Sequence, residues 1–380
     1  MNVLFLALDV DLQVPRGDAI HTRELARLLA ARGHRVDLVV AHPSERGIGD
    51  GVHVHVRPKG TWSTVRFCAR LADEARSEAI YERRLSPKVS FAVSRLAGIP
   101  FVVEINGTED EARMQGRAMP SLWRPPRAFV RRRMYRYARF VVAVTTRLGE
   151  EVRSRNGLAP QRVVVVPNGV DPDSFVPKDS LEARSSLGWP NGRWIVFVGN
   201  LVPWQGLKPL LHAMPAVFAD HPDARLAIVG DGIERGALEA LSSRLEISNR
   251  LLFAGAVGYE EVPLCIGAAE VCVAPFGRAR NEQIGLSPLK VYEYMSCGRA
   301  VVATDVPGVA DLINGSGGGL LVPPDDFRAL GAALSRLLSD PRTAAEMGQR
   351  GRAYVREGYS WGRTAERVEN LLRQAIGSQS

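Results

Sequence analysis

The amino-acid sequence predicts an α/β protein built from two doubly wound, mainly parallel sheets. The chain has 380 residues, which at roughly 150 residues per domain favours two domains of ordinary size. Short apolar runs alternate with segments of helical periodicity along both halves of the chain, as in successive strand–helix–strand units. Between the halves, residues 166–173 concentrate proline, glycine, asparagine and aspartate, which favour turns.

The first half opens with one such unit. Residues 3–8 form an apolar run, residues 18–32 place three leucines on one helical face before Gly33, and residues 36–40 form the next apolar run. Parallel strands need a crossover, and a helix supplies it here. Further strands are predicted at 52–56, 101–105, 140–144 and 163–166, and further helices at about 65–76, 86–97 and 121–138.

The second half repeats the pattern and ends in helices. We therefore predict an N-terminal domain over residues 1–167 and a C-terminal domain over residues 168–358, with a last helix at about 359–376 that packs back on the first domain. In such sheets, ligands bind outside the carboxyl ends of the strands. Strands of the second domain are predicted at 194–198, 225–229, 251–253, 271–274, 300–303 and 320–322.

Composition limits the classes of function. Hydrophobic residues make up 46% and charged residues 24% of the chain, which is typical of a soluble globular protein and excludes a disordered one. Because no apolar run approaches the roughly 18 residues of a membrane span and no charged leader is present, we expect a cytoplasmic protein. A net charge of +8 favours an anionic partner, namely nucleic acid, an acidic membrane surface or a phosphorylated small molecule.

Cysteine spacing indicates neither a metal site nor a disulfide framework. The cysteines show no C-x-x-C spacing and lie in apolar surroundings, so we predict buried free thiols at Cys68, Cys265, Cys272 and Cys297.

Residues 285–298 predict a helix start that binds an anion. Ser287 is a good N-cap, Pro288 suits the first helical position and Gly298 suits the end, so a helix of about ten residues follows a glycine turn. The free N–H groups of such a start attract negative charge.

Lys290 and Glu293 lie one turn apart at this helix start. The ammonium adds a positive charge beside the N–H groups, and the carboxylate can accept hydrogen bonds from vicinal hydroxyls. A phosphate joined to a ribose is the ligand that such a pair suits. Taken alone, the motif favours an exposed i,i+3 pair on a well-capped helix, and its context reverses that preference.

That context is a resemblance to a known family. Residues 287–305 resemble the nucleotide-sugar signature of glycosyltransferase family 4. Residues 33–36, 167–171 and 229–232 resemble the family's second-strand entry, interdomain link and mid-domain turn, so the motifs span nearly the whole chain. The resemblance implies the GT-B fold, in which two Rossmann-like doubly wound domains face a central cleft, and sugar transfer with retention of configuration.

The resemblance also implies roles for particular residues. The acidic residue at the Glu293 position binds the donor ribose, and the first βα loop (residues 15–18) approaches the donor diphosphate at Gly17. Main-chain groups near Gly255 to Gly258 contact the base. We expect a nucleoside diphosphate sugar as co-substrate, with UDP as its carrier, and neither cofactor nor metal. The implied donor-binding residues are Gly17, Asn200, Gln205, Gly255, Ser287, Pro288, Leu289, Lys290 and Glu293, with Asp18 as a further candidate.

Two positions depart from the family pattern. The glutamate that normally meets the transferred sugar, separated from the position of Glu293 by seven residues, is replaced by Gly285. The arginine and lysine that hold the diphosphate fall on Asn200 and Gln205. Because a lost charge-assisted hydrogen bond costs about 1.5–3 kcal/mol, another cation must replace them in an active transferase. The candidates are Lys290 and then Arg278 and Arg280.

A subgroup of the family resembles the chain more closely, through its Pro-Trp-x-Gly and Ser-Pro-Leu-Lys motifs. It also has an acidic-Asn stretch, here residues 104–109, which implies that Glu104 and Asn106 face the donor as catalytic residues together with Lys290 and Glu293. A strand-end turn with residues 106–107 in a left-handed conformation fits equally well, and the two interpretations stay open. Residues 81–84 would add an arginine to the cleft.

Two weaker signals lie near the amino terminus. Asp9 and Asp11 have the spacing of metal-binding carboxylates, but two carboxylates are too few for a hard cation, so we favour a solvated first βα loop. His21 could reach the cleft, although a lone histidine at a helix start is more often a solvated residue.

Residues 124–139 are rich in arginine, with aromatic residues between the charges. A solvated helix face is the interpretation that we favour, and peripheral contact with an anionic membrane is the alternative. Nucleic acid is not expected, because no recognition module is present. The arginines are Arg124, Arg127, Arg131, Arg132, Arg133, Arg136 and Arg139.

The sequence therefore predicts a retaining glycosyltransferase that moves a sugar from a nucleoside diphosphate sugar to an acceptor hydroxyl of a small molecule, lipid or glycan held by the N-terminal domain. No side chain is placed as a nucleophile, so we expect front-face displacement. Two alternatives stay open, namely a non-catalytic nucleotide-sugar binder and a GT-B epimerase or phosphorylase. The sequence makes no prediction of oligomeric state.

Overall fold

The computed structural model describes residues 1–14, 16–44, 47–107 and 124–377, with the backbone alone at 124–127, 280 and 283–284. The chain folds into two compact units. The N-terminal unit comprises Met1–Asn168 and Trp361–Ser380, and the C-terminal unit comprises Gly169–Ser360.

The N-terminal unit contains a parallel sheet with helices on both faces. Its strands are β1 (Asn2–Asp11), β2 (Arg35–His42), β3 (Val52–Val56), β4 (Ala79–Arg83), β5 (Phe101–Ile105), β6 (Phe140–Ala143) and β7 (Val163–Val165). Among the described residues these seven lie in the order β3-β2-β1-β4-β5-β6-β7. The helices are α1 (Gly17–Ala31), α2 (Thr61–Glu74), α3 (Lys88–Ala97), α4 (Arg124–Tyr137) and α5 (Thr146–Asn156).

Alternating residues of β1 explain why both faces of this sheet are covered. Phe5 belongs to an apolar cluster with Leu25 of α1, whereas Leu6 belongs to the cluster on the opposite face with Leu71 of α2. The strand is apolar along its length because a parallel sheet buries both of its faces.

The sequence prediction of this unit needs three corrections. It contained neither β4 nor α5. Glu82 interrupts the apolar pattern of β4, although its side chain is fully buried. Asp9 and Asp11 lie in β1 rather than in the loop after it. Asp9 forms an ion pair with Arg84 at 3.0 Å, and Asp11 accepts a hydrogen bond from the Gln13 backbone.

The C-terminal unit has the same construction. Its strands are β8 (Arg193–Val198), β9 (Ala224–Val229), β10 (Leu251–Gly255), β11 (Val271–Ala274), β12 (Ala300–Thr304) and β13 (Gly319–Val322), in the parallel order β10-β9-β8-β11-β12-β13. Its helices are α6 (Ser180–Leu187), α7 (Leu207–Asp220), α8 (Arg235–Arg244), α9 (Val262–Gly267), α10 (Arg278–Ile284), α11 (Leu289–Ser296), α12 (Val309–Ser316), α13 (Phe327–Ser339) and α14 (Pro341–Gly358). The predicted α/β class with two doubly wound sheets is confirmed.

The last helix, α15 (Trp361–Gly377), packs in the N-terminal unit. Its Val368 and Leu372 belong to the apolar cluster of Phe5. At its polar edge Glu369 contacts both Arg32 and Arg373. Burial opposes ionisation of this carboxyl, but hydrogen bonds from the two arginines lower its pKa to about 2. Hydrophobic contacts and ion pairs thus both anchor the helix.

Glu82 gives a prediction about pH-dependent stability. Burial raises the pKa of this carboxyl to about 7, although Ser90 donates hydrogen bonds to Oε2 from both its hydroxyl and its backbone N–H. Since the folded state binds this proton more tightly than the unfolded state, the contribution of Glu82 to stability falls as the pH rises from about 4.5 to 7, by about 3 kcal/mol.

We therefore expect Glu82→Gln to become more stable relative to the wild type as the pH rises from 5 to 8. Urea unfolding at several pH values measures the difference in unfolding free energy. The exposed Glu74→Gln serves as the control and is expected to show no such trend. A wild-type-to-Glu82→Gln difference that stays constant across this range would contradict the assignment.

The four cysteines are buried and free, as predicted. Burial raises the pKa of the Cys68 thiol to about 12 and that of Cys265 to about 11, so both stay protonated near neutral pH. Over the described ranges, no helix combines the length and the apolar character needed to cross a membrane.

Candidate functional site

Glycine turns follow the carboxyl ends of the strands in the C-terminal unit. Gly199 follows β8 with φ +146°, and a Cβ there would lie 2.6 Å from Nζ of Lys290. Gly230 follows β9, and a Cβ there would lie 2.1 Å from the Gly199 carbonyl oxygen. Glycine at both positions lets the backbone turns and the Lys290 ammonium approach each other closely. The strand order of this sheet reverses between the neighbouring strands β8 and β11, and the Gly199 turn follows β8 at this point, which is the usual ligand position of such a sheet.

Lys290 projects from the first turn of α11 toward this edge. Its Nζ donates a hydrogen bond to Oε1 of Gln205 at 2.7 Å and lies 3.8 Å from the centre of the Phe197 ring. Burial lowers its pKa well below the ordinary value, and the nearby Glu293 only partly opposes this. Among the described residues Lys290 forms no ion pair, so its positive charge lacks a carboxylate partner.

Glu293 is buried one turn further along α11, with 6% of its surface exposed. Its Oε1 accepts a hydrogen bond from the Tyr259 hydroxyl at 3.0 Å. Burial raises the pKa of the Glu293 carboxyl to about 7, while Tyr259 and Lys290 oppose the shift. The structure therefore overturns the alternative of an exposed pair, since both side chains are desolvated and each has its own partner.

The predicted start of this helix is wrong by one residue. Helix α11 begins at Leu289, and Pro288 occupies the N-cap position without a side-chain cap. The Pro288 carbonyl accepts the first helical hydrogen bonds, from Val291 at 2.9 Å and Tyr292 at 3.2 Å. Ser287 is therefore one residue too far back to cap the helix, and its hydroxyl lies 3.3 Å from that of Tyr292.

Three other predicted residues lie near the same edge. Gln205 contacts Lys290 directly, Asn200 follows Gly199 in the chain, and Gly255 ends β10 with its carbonyl accepting from the Gly230 N–H at 2.7 Å. The structure thus brings Gln205 to Lys290. It does not bring Asn200 into a side-chain hydrogen bond with either Lys290 or Glu293 among the described residues.

The alternative cations are placed differently. Arg278, the first residue of α10, is more than half exposed and forms an ion pair with Glu282 at 3.1 Å. The side chain of Arg280 lies outside the described residues. Between Lys290 and Arg278, only Lys290 is desolvated beside the glycine turns.

A separate polar cluster lies near the carboxyl ends of β4 and β5, two central strands of the N-terminal unit. Glu104, near the end of β5, is 2% exposed and lies 2.9 Å from Nε2 of His21 and 3.1 Å from Nε of Arg83. The Tyr81 hydroxyl also donates to this carboxylate. Burial alone would raise the pKa of Glu104, but attraction to His21, then to Arg83, lowers it to about 2. The cluster therefore holds a stable buried carboxylate.

The structure overturns the expectation that His21 is solvated. Only 2% of His21 is exposed, its Nδ1 lies 2.8 Å from Oδ1 of Asn168, and its ring packs edge-on against Trp361 at 5.3 Å. His21 lies on the buried face of α1 together with Leu25, so it contacts Glu104 rather than solvent. His21 is buried because it lies on the helix face that packs against the sheet, although it is close to the start of the helix.

For residues 104–109, the second interpretation was a strand-end turn with residues 106–107 in a left-handed conformation. It is wrong at Asn106. Asn106 does not have a positive φ, so its backbone is not left-handed. Oδ1 of Asn106 is buried without a hydrogen-bond partner in the described part of the chain. Residues 108–109 of the same stretch lie outside the described residues.

At the start of α1, Gly17 is the first helical residue and Asp18 the second. The Asp18 carboxylate accepts from the Ala19 N–H at 3.1 Å and lies 3.5 Å from Nε of Arg16. Pro15, the first residue of the predicted loop, lies outside the described residues. The carboxylate is therefore turned back onto its own helix start.

The arginine-rich segment forms α4, whose described side chains divide between two faces. Met134 and Tyr135 are buried, whereas Phe129 is 69% exposed, and Arg132 and Arg133 are exposed as well. The side chains of Arg124 and Arg127 lie outside the described residues. This division is compatible with either a solvated face or a lipid contact.

Sequence reasoning missed Tyr259 as the partner of Glu293, and it missed the ring of Phe197 under Lys290. No local pattern identifies either contact, because Tyr259 is 34 residues and Phe197 is 93 residues away from its partner in the chain. Within residues 81–84, from which an arginine was expected in the cleft, Arg83 pairs with Glu104 and Arg84 pairs with Asp9.

Comparison with protein families assigns both units. The family model described as Glycosyltransferase Family 4 matches residues 15–174, and the model described as Glycosyl transferases group 1 matches residues 192–340. A D-inositol 3-phosphate glycosyltransferase from Frankia alni is 30% identical over 405 aligned positions, covering 95% of this chain and 96% of the relative.

A second relative matches over a shorter range. The GDP-mannose-dependent monoacylated alpha-(1-6)-phosphatidylinositol monomannoside mannosyltransferase of Corynebacterium glutamicum is 32% identical over 214 residues, which is 55% of each chain.

Solved structures show the same fold. Sucrose-phosphate synthase from Thermosynechococcus elongatus has a TM-score of 0.80 at 22% identity, covering 99% of both chains. Anabaena HepE, in complex with UDP-glucose, has a TM-score of 0.76 at 20% identity, covering 98% of this chain and all of the other. The two sheets, the motifs along the chain and these matches agree, and the protein belongs to glycosyltransferase family 4 and has the GT-B fold.

Proposed function

We propose that this glycosyltransferase takes its sugar from a nucleoside diphosphate sugar and transfers it to an acceptor hydroxyl with retention of configuration. The observation that carries the proposal is the arrangement of Lys290 and Glu293. A desolvated cation and a desolvated carboxylate lie one turn apart on α11, beside glycine turns at the carboxyl ends of the strands.

Lys290 is suited to hold the diphosphate. It would replace the arginine and lysine of the family pattern, whose positions are occupied here by Asn200 and Gln205. Its charge has no carboxylate partner among the described residues, and burial disfavours the ammonium form. A diphosphate brought to Nζ would supply the missing negative charge and restore the proton. Gln205 orients the amine by accepting one of its hydrogen bonds.

Glu293 is suited to hold the ribose. Tyr259 occupies Oε1, and Oε2 accepts no hydrogen bond from the described residues. Two vicinal hydroxyls can therefore donate to the free oxygen. Because Tyr259 also packs against Phe175 at 5.3 Å, the carboxylate is held in one orientation before the donor arrives.

The chemistry follows from the groups that the chain supplies. Departure of the diphosphate develops negative charge on its oxygen, which Lys290 and the N–H groups at the start of α11 stabilise. No side chain is positioned as a nucleophile in the described part of the C-terminal unit. We therefore propose front-face displacement, in which the leaving oxygen takes the proton of the acceptor hydroxyl.

Glu104 and Asn106 are the residues of the N-terminal unit that we propose to act in the transfer reaction, Glu104 by positioning and Asn106 by contacting the substrate. The Glu104 carboxylate is fully engaged by His21, Arg83 and Tyr81, so it acts as a positioning residue. It holds the end of β5 from which Asn106 extends. The side-chain oxygen of Asn106 is buried without a partner in the described residues, which leaves it to accept from a substrate hydroxyl.

UDP is the proposed carrier, and an inositol-type polyol is the proposed acceptor class. Anabaena HepE is solved with UDP-glucose, whereas the Corynebacterium relative is named for GDP-mannose. The Corynebacterium and Frankia relatives are both named for inositol-based acceptors. The carrier and the acceptor therefore need separate tests.

The test is a transfer assay with UDP-, GDP- and ADP-hexoses against inositol phosphates, an inositol-headed glycolipid and aminocyclitols. We expect transfer with UDP-hexose, and NMR of the product is expected to show the anomeric configuration of the donor. Inversion would contradict front-face displacement. Tight donor binding without transfer to any acceptor would favour the non-catalytic binder, and conversion of the donor without acceptor would favour an epimerase.

A further inference from the structure

A cavity of about 380 Å³ lies in the C-terminal unit at the amino ends of its strands. Arg193 begins β8, Ala300 begins β12 and Glu270 directly precedes β11, and all three line the cavity. The glycine turns beside Lys290 follow the opposite, carboxyl ends. The six residues of β8 put about 20 Å between the two places, so the cavity is separate from the proposed donor site.

Two arginines give the cavity its charge. The Arg299 guanidinium donates through Nη2 to the backbone carbonyls of Lys178 and Gly267, at 2.5 and 2.6 Å. The Arg352 guanidinium donates through Nη1 to the carbonyl of Phe175 at 3.0 Å and to the carbonyl of Ser296. Neither arginine has a carboxylate within ion-pair distance among the described residues, and Nε of Arg299 is buried without a partner there.

The other charges of the lining are already balanced. Glu270 pairs with Arg184 at 2.7 Å, and Arg193 pairs with Asp223 at 2.6 Å. Burial lowers the pKa of Arg352 and the neighbouring Arg356 lowers it further, while Cys297 and Asp173 oppose the shift. Two positive charges in the cavity therefore have no ion-pair partner among the described residues, which is costly for partly buried groups and favourable for an anionic ligand.

The remaining walls are apolar. Pro177, Leu337, Leu338, Pro341 and Ala344 line the cavity, and Leu337, Leu338 and Ala344 among them are buried. A free inorganic anion would fill only a fraction of this volume and would leave the apolar walls exposed to water. A ligand with an anionic group and an apolar body satisfies both parts of the lining.

We propose that this cavity binds an amphiphilic anion, whose phosphate, sulfonate or carboxylate group contacts Arg299 and Arg352 and whose ring or short apolar body packs against the proline and leucine walls. The proposal goes beyond the transfer reaction and does not depend on it.

The test uses 1-anilinonaphthalene-8-sulfonate, a fluorescent anion with an aromatic body, on the full chain. Gln349 lines the cavity from the exposed side of α14, so its replacement changes the charge without disturbing the core. Gln349→Glu adds a carboxylate one turn before Arg352 and is expected to weaken dye binding at least 5-fold. Gln349→Lys, at the same position, is expected to bind the dye as tightly as the wild type or more tightly.

A second variant and a second measurement separate this site from others. Ala345→Trp, at another exposed lining position of α14, is expected to reduce binding by filling the cavity. UDP binding, measured by calorimetry, is expected to stay unchanged in all three variants. Equal dye affinity in wild type, Gln349→Glu and Ala345→Trp would overturn the proposal, as would a parallel loss of dye binding in Gln349→Glu and Gln349→Lys.

Discussion

Lys290→Met is expected to lower kcat/KM for sugar transfer by about 10²- to 10³-fold, the effect of removing one charge that stabilises a leaving group in a desolvated site. Methionine keeps an unbranched apolar side chain as far as Cε and removes the ammonium, whose Nζ lies 3.8 Å and 5.4 Å from the centres of the Phe197 and Phe276 rings. Since the wild-type cation is desolvated and has no ion-pair partner among the described residues, we expect no loss of thermal stability. The variant should therefore lose activity while its Tm stays at the wild-type value.

The matched control is Lys208→Met. Lys208 is 54% exposed and pairs with Glu234 at 2.7 Å on the same unit, so its replacement tests the loss of a lysine as such. We expect kcat/KM of this variant to stay within twofold of the wild type. Steady-state kinetics with saturating acceptor measure kcat/KM of both lysine variants. In the same assay, Glu293→Ala is expected to raise KM for the donor. Wild-type kcat/KM in Lys290→Met would contradict the assigned role.

Glu104→Gln is expected to lower the unfolding free energy at pH 7 by about 3 kcal/mol, the usual scale for breaking a buried charge cluster. His21 and Arg83 both contact this carboxylate, and its loss leaves their polar groups buried without an anion. A folded-state pKa of about 2, against an ordinary value of 4.5, leads to the same magnitude of about 3 kcal/mol.

The pH dependence has a definite sign. Because the folded state lowers the pKa of Glu104, its stabilising contribution is complete above about pH 4.5 and is lost as the pH falls toward 2. The wild type is therefore expected to lose its advantage over Glu104→Gln in acid. Urea unfolding between pH 7 and pH 3 measures this convergence.

The double variant Glu104→Gln/Arg83→Met tests the pairing directly. The two single losses of unfolding free energy should together exceed that of the double variant, because the second replacement removes a group that the first has already left unpaired. Additive losses, or a Glu104→Gln variant as stable as the wild type, would show that the carboxylate does not hold the cluster together.

Most of the fold was predictable because it depends on local patterns. Apolar runs for strands, helical periodicity and glycine or proline punctuation lie next to each other in the chain, and the α/β class follows from their alternation. Strand β4 and helix α5 are exceptions, and β4 shows the reason. Tyr81 and Glu82 of β4 carry polar groups that the fold satisfies with Glu104 and Ser90, and no local rule anticipates a buried carboxylate in a central strand.

The candidate site was predictable only in part, for the same reason. A lysine and a glutamate one turn apart at a glycine-preceded helix start were recognisable as a possible pair. Their partners were not, since Gln205 is 85 residues away from Lys290 and Tyr259 is 34 residues away from Glu293. His21 was placed in solvent by its position at a helix start, yet the packing of α1 buries it against Trp361.

The sequence by itself determined the two-sheet architecture, the family and the residue types available for chemistry, because backbone preferences and hydrophobic periodicity act over a few residues. The tertiary structure alone decided which of these side chains are desolvated. Burial depends on what distant segments bring into contact, and desolvation lowers the pKa of Lys290 and raises that of Glu293. The same packing places Arg299 and Arg352 in one cavity without an ion-pair partner among the described residues.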